Sequence, residues 1–168
     1  MEPKQNSAVL KKLVLLITVL TIVLVVGTTV VWMIVSMKKP TPLSPNAQIE
    51  LKLAEKEPAD GLMPMTLENM GVGSLYVHDK AELSTSDVAG VYMSKDGMDR
   101  PAITVVLTKA GGERMWSMTS ANIDKHVVIF VNGQAVTAPR VNAPISKKFV
   151  VTGRGEEIDK LFRALTQP

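Results

Sequence analysis

"VNGQAVTAPRVNAPI", residues 131–145, opens as a hairpin and then forbids its own second strand. Asn132-Gly133 between two apolar runs is a strong signal for a two-residue turn, since that turn needs positive φ at both central positions. The outgoing strand soon meets Ala138-Pro139 and then Ala143-Pro144. Proline cannot donate to a ladder, so the segment must lie at a sheet edge or leave the sheet. The chain can then cross to a new position and return as a strand at Phe149 to Thr152. The loop reads as structural: its prolines end one pairing so that another can begin.

Outward from the hairpin, the periodicities alternate. "VVIFV" is apolar throughout, as expected of a central strand covered on one side or both. Before it, "GGERMWSMTSANI" carries Met115, Thr119 and Ile123 at helical spacing, with Met118 beside them. After it, "KFVVTG" predicts a strand closed by Gly153 and Gly155. "EEIDKLFRAL" then places Ile158, Leu161, Phe162 and Leu165 at i, i+3, i+4 and i+7. Its acids, Glu156 and Glu157, fall in the first turn and Arg163 near the end, each favourable to the helix dipole.

Further upstream, "QIELKLAE" alternates with period two and predicts a strand, as do "VGSLYVHD", "VYMS" and "PAITVVLT", the last two around Asp96-Gly97. "GLMPMTLENMG" reads as irregular, broken by Gly61, Pro64 and Gly71. "STSDV" offers a helix cap followed by one short turn. The class is α+β: one mixed β-sheet domain with two main packed helices, behind a single N-terminal transmembrane helix.

That helix is the run Leu13 to Met37, 25 consecutive residues without a charge. At about 1.5 Å per residue it extends roughly 37 Å, enough to cross a hydrocarbon core of about 30 Å with some tilt. Fifteen of the 25 are Val, Ile or Thr, but strands of this length are rare. Lys38-Lys39 follows directly and no small-residue cleavage pattern appears, which favours an uncleaved anchor over a signal peptide. Trp32 suits an interfacial position. The expected organisation is a short cytoplasmic tail (1–12), the span (13–37), a Pro-rich linker (38–47) and a folded domain (48–168). Pro40, Pro42 and Pro45 make the linker a stiff spacer of roughly 20 Å.

Charge narrows the partners. Lys4, Lys11, Lys12, Lys38 and Lys39 flank the span, so from Pro40 onward 14 basic residues face 15 acidic ones. The basic balance of the whole chain is a membrane-flank effect, and a nucleic-acid partner is not expected. The lipid bilayer is the expected partner of the span. Orientation is only weakly encoded, with three lysines before it and two after; we place the short tail inside and the domain outside. The absence of cysteine excludes disulfides and thiolate metal sites.

The ordered set "TSAN", "VVIFV", Asn132-Gly133, Ala138-Pro139, Val141, Ile145 and Val151-Thr152-Gly153, closed by an amphipathic helix, carries a resemblance. It resembles the head subdomain of the first periplasmic domain of SecD and SecDF, accessory membrane subunits of the bacterial Sec translocon. The match runs from about Asp87 to Leu165 and extends toward Ile49. Asn132 stands where the family has Asp, and Ser146-Lys147-Lys148 where it has a Gly-rich stretch. The resemblance implies a bacterial inner-membrane protein with a periplasmic domain and a non-enzymatic accessory role in export. Its contacts would be an emerging unfolded polypeptide or Sec translocon subunits. The single span holds no ionisable residue, so a proton-driven motor cannot be built from this chain alone. The alternative is an envelope scaffold or regulatory module that shares the fold, because fold does not fix function.

No catalytic constellation emerges. His78 and His126 lie in strand-like segments without metal-ligand spacing, and His78-Asp79 is commoner as a strand end than as an acid/base pair. No cofactor is expected. Met63, Met65 and Met70 crowd one segment: they can fill core gaps, offer a deformable surface to peptides, or hold Cu(I) through their thioethers. Together with Gln134 and Val136 on the proline-terminated edge, they are the candidate polypeptide contacts.

Overall fold

The computed structural model describes residues 15, 17, 18, 21, 39–67 and 73–167. The expected tail 1–12, nearly all of the span 13–37, and Met70 lie outside the described residues. Leu15, Ile17, Thr18 and Thr21 are helical. Among the described residues, no helix is long and apolar enough to cross a membrane. The chain divides after Lys39 into two units, the second running from Pro40 to Pro168.

Among its described residues, nine strands and two helices build this second unit. In chain order they are β1 (Ile49–Glu55), β2 (Leu62–Leu67), β3 (Gly73–His78), β4 (Leu83–Ser84), β5 (Val88–Lys95), β6 (Pro101–Leu107), α1 (Lys109–Ala121), β7 (His126–Val131), β8 (Gln134–Thr137), β9 (Lys148–Thr152) and α2 (Gly155–Thr166). The α+β class with two packed helices stands. The strands, however, divide between two sheets where one was expected. The larger runs β2-β3-β1-β7-β8, with β4 added to β1; the smaller runs β5-β6-β9. All these pairs are antiparallel.

β7 is buried along its whole length because both faces of the larger sheet are covered. Val127, Ile129 and Val131 join Ile49, Leu51 and Leu53 in the principal core, which also takes Val91, Ile103 and Phe149 of the smaller sheet and Met115, Ile158 and Leu165 of the helices. Val128 and Phe130 point the other way, into a second core with Ala54, Leu67, Leu75, Val77 and Ala138. At roughly 25 cal/mol per Å² of apolar area removed from water, such two-sided burial makes β7 the element with most to lose.

Three other expectations are corrected. The segment read as irregular around Pro64 is β2, paired with β3 from Leu62↔His78 to Leu67↔Gly73. It is the outermost strand, where a residue without N–H is tolerated. Ile123, expected on α1, lies beyond its last residue and is exposed, because Asn122 ends the helix. The stretch 38–47, expected to be a spacer, belongs from Pro40 onward to the folded unit. Thr41 exchanges two backbone hydrogen bonds with Val91, at 2.7 and 2.8 Å, and Ser44 N donates to the carbonyl of Leu165 at the end of α2. Gly90 permits this approach: a Cβ there would come within 2.6 Å of the Thr41 carbonyl oxygen.

The helix starts follow from local chemistry. Thr108 caps α1 by accepting from Gly111 N at 3.0 Å. Gly111 and Gly112 let that first turn press on the backbones of Asp87 and Ser146. Asp87, in the short 3-10 turn that the "STSDV" capping signal anticipated, is buried and accepts from Ser84 N at 2.9 Å and from Arg114.

Candidate functional site

The hairpin of the opening stretch forms one wall of a groove of about 1200 Å³. Asn132 (φ 49°) and Gly133 (φ 79°) both take the left-handed backbone that a type I′ turn needs. Asn132 is also clamped onto the entry to β1: its N–H donates to Gln48 O and its Oδ1 accepts from Gln48 N, each at 2.8 Å. The turn residue therefore sets the angle at which β8 leaves.

β8 is the last strand of the larger sheet, and all four of its residues line the groove. Gln134 is exposed and Val136 packs partly against the principal core. The ladder weakens at Pro139, whose carbonyl accepts from Val127 N at 3.0 Å but which has no N–H to return. Ala138 is buried, its carbonyl facing His126 Nδ1 at 3.1 Å, so that ring nitrogen carries the proton. The chain holds to β7's start through Val141 and then crosses to the smaller sheet. Ile145 N is caught by Thr119 Oγ1 at 2.9 Å, and Lys147 O by Leu107 N.

The opposite wall is β9, at the end of the smaller sheet, with α2 behind it. A Cβ at Gly153 would sit 3.3 Å from Ile158 Cδ1, so glycine there brings the helix close to the strand exit. The floor is aliphatic: Val131, Val136, Val151, Ile158 and Leu161. The rim is polar, with Arg100, Arg154, Lys160 and Glu157. Arg154 pairs with Glu157 at 3.3 Å, and Arg100 with Asp96 at 2.7 Å. The hydrogen bond from Arg100, foremost, holds the Asp96 carboxyl below its ordinary value. Among the described residues, no His, Cys or Ser lines the groove. An aliphatic floor, a polar rim and two strand edges suit binding of an extended chain.

The other sequence candidates fall elsewhere. Met63 and Met65 lie on β2, at the opposite end of the larger sheet from β8, so the two proposed contact segments do not form one surface. Met65 packs against the second core, while Met63 is half exposed. His78 Nε2 lies 3.4 Å from Glu55 Oε1, which also accepts from Lys125 Nζ at 2.9 Å. Arg100, Arg154 and Lys160 were not singled out from the sequence. They come from two separate segments, the turn before β6 and the start of α2, and no local pattern links them.

The model of the SecDF P1 head subdomain matches residues 62–164, more than half of the chain. The SecD subunit of the protein translocase of Acidaminococcus fermentans is 28% identical over 64 residues, 38% of this chain and 15% of that one. A solved structure of SecDF, a membrane component that enhances protein export, is similar with a TM-score of 0.51 at 18% identity, covering 73% of this chain and 64% of that one. SecDF in a super-membrane-facing form gives 0.53 at 18% identity, covering 73% and 19%. This chain thus spans less than two thirds of each relative's own length. The crossing hairpin and all but the last two residues of α2 lie inside the matched stretch, and on that match the chain belongs to the SecDF P1 head subdomain family.

Proposed function

We propose that this protein is a single-pass inner-membrane protein that holds its head domain in the periplasm and assists protein export. It has no enzymatic role; it acts by contact with an emerging polypeptide, and through it with the translocon. The observation that carries this reading is the groove between β8 and β9, where two sheets each end. An extended chain can add to β8 through backbone hydrogen bonds, which are indifferent to sequence, while its alternate side chains meet the aliphatic floor. The groove exceeds the roughly 300–1,000 Å³ usual for small-molecule sites. Family membership and the export role of the relatives support the same reading. Half-exposed Met63 at the far edge provides a second, adaptable contact.

An export helper must release what it binds, so a Kd of about 10 μM to 1 mM is expected. The test is an NMR titration of the isotope-labelled full chain, in detergent micelles, with a permanently unfolded polypeptide and with its folded counterpart. Shifts should appear with the unfolded form only and cluster on Gln134 to Thr137 and Val151 to Arg154. If neither form moves a resonance at millimolar concentration, direct chain binding is wrong. Placement is tested separately: protease outside spheroplasts should digest the domain, and full protection would overturn the topology.

A further inference from the structure

The smaller sheet carries a second surface, independent of the groove. β5-β6-β9 sends Val91, Ile103, Val105 and Phe149 into the principal core. Strict pairing places their alternates on the opposite face: Tyr92↔Thr104↔Val150 in one row and Val106↔Lys148 in the next. Val150 is 47% exposed. At one end of this face, Val106, Leu107 and Gly112 line an apolar hollow of about 610 Å³ with Trp116 on its wall, 55% exposed. The hollow and the groove share no lining residue.

Charge around the hollow is one-sided. Lys109 and Lys147 line it and Lys148 adjoins it on β9, all exposed. None of the three has an ion-pair partner among the described residues; Lys56, Lys80, Lys160 and Arg163 share that state, but none of those lines the hollow. Glu113 is the one carboxylate in the wall among the described residues. The domain as a whole is not basic, so this local excess stands out against a background of 14 cations and 15 anions from Pro40 onward.

We propose that this hollow and the adjoining face of β9 are a docking surface for a protein partner that inserts an apolar side chain ringed by carboxylates. Tryptophan is among the residue types enriched at binding hot spots, and this one stands exposed beside a pocket. Unpaired lysines at a rim steer a partner of opposite charge and reject one of like charge. A second copy of this chain fits poorly, because a two-fold contact would bring the same lysines face to face.

Trp116 reports on its own surface. With Trp32→Phe, it becomes the sole tryptophan of the chain. The full-length variant in zwitterionic lipid nanodiscs is titrated with three short synthetic peptides: alternating Leu and Glu, alternating Leu and Lys, and alternating Ser and Glu. The readout is quenching of Trp116 fluorescence by acrylamide. Only the Leu/Glu peptide should protect it. Lys109→Glu with Lys147→Glu should weaken that binding about tenfold and transfer preference to the Leu/Lys peptide, as expected for rim charges that set specificity. Lys147→Glu alone, on an exposed loop residue, should give part of the same change and guards against a misfolded double variant. Equal protection by the Leu/Lys peptide, or by none, overturns the proposal. Protection by anionic nanodiscs without peptide assigns the surface to lipid, and protection that grows with protein concentration alone assigns it to a second copy; either result also overturns it.

Discussion

The larger sheet sends Ile49, Leu51 and Leu53 into one core and Ala54, Leu75, Val77 and Val128 into another, whereas the smaller sheet fills only one. Its other face buries Ala102 and Thr104 along β6 but leaves Val106 half buried and Val150 exposed. Two-sided burial makes the larger sheet the rigid part, since close-packed interiors lose contacts with every methylene removed. One-sided burial leaves the smaller sheet with surface to offer. The proposed groove lies where the two kinds of sheet end side by side.

The largest effect that can break this contrast is in the second core. Leu75 is fully buried and Leu51 is 1% exposed, so Leu75→Ala and Leu51→Ala should each cost about 2–5 kcal/mol. Val150→Thr, at an exposed position, should stay within about 0.5 kcal/mol. Urea midpoints measure all three. If Leu75→Ala is as mild as Val150→Thr, the larger sheet has only one true core.

A middle-sized effect is expected where α1 meets the turn before β5. Asp87 is buried, and Arg114 is its only cationic partner among the described residues. Arg114→Ala leaves a buried carboxylate held by Ser84 N alone and should cost about 1–3 kcal/mol. Asp87→Asn with Arg114→Ala, made together, should recover part of that loss. No recovery in this double variant would show that Arg114 acts through packing and not through charge.

The smallest effect is at the far end of β1. The hydrogen bond from Lys125, above all, lowers the Glu55 carboxyl from its ordinary value, with His78 contributing less. A lowered folded value means stability that is present above the unfolded value and lost as pH falls through the folded one. The carboxyl is partly exposed, so solvent screens the pair and the gain is small. Wild type and Glu55→Gln should differ slightly near neutral pH and converge below about pH 4, in the carboxylate range. A difference that widens on acidification would reverse the assigned sign.

Much of the groove's first wall is legible in local sequence. Asn132-Gly133 demands the turn, and Pro139 confines β8 to an edge, so the edge position of Gln134 and Val136 follows from local sequence alone. The second wall is not legible. Arg100, Val151, Arg154 and Leu161 meet β8 only because the chain crosses between sheets, and nothing in any one segment records that juxtaposition. The methionine segment misled for a related reason: Pro64 breaks a central strand but not an outer one, and outer position is a property of the whole sheet.

By itself, the sequence determined what depends on near neighbours: the alternation of β1, the unbroken apolar run of β7, the hairpin turn and the amphipathic stripe of α2. These follow from side-chain periodicity and backbone sterics within a few residues. Only the tertiary structure decided that there are two sheets, that Pro40 to Ala47 is strapped to β5 and α2, and that Val150 on the smaller sheet is left exposed. Those outcomes turn on which distant segment supplies each hydrogen bond and covers each apolar face, and hydrogen bonds between distant backbones leave no period in the sequence.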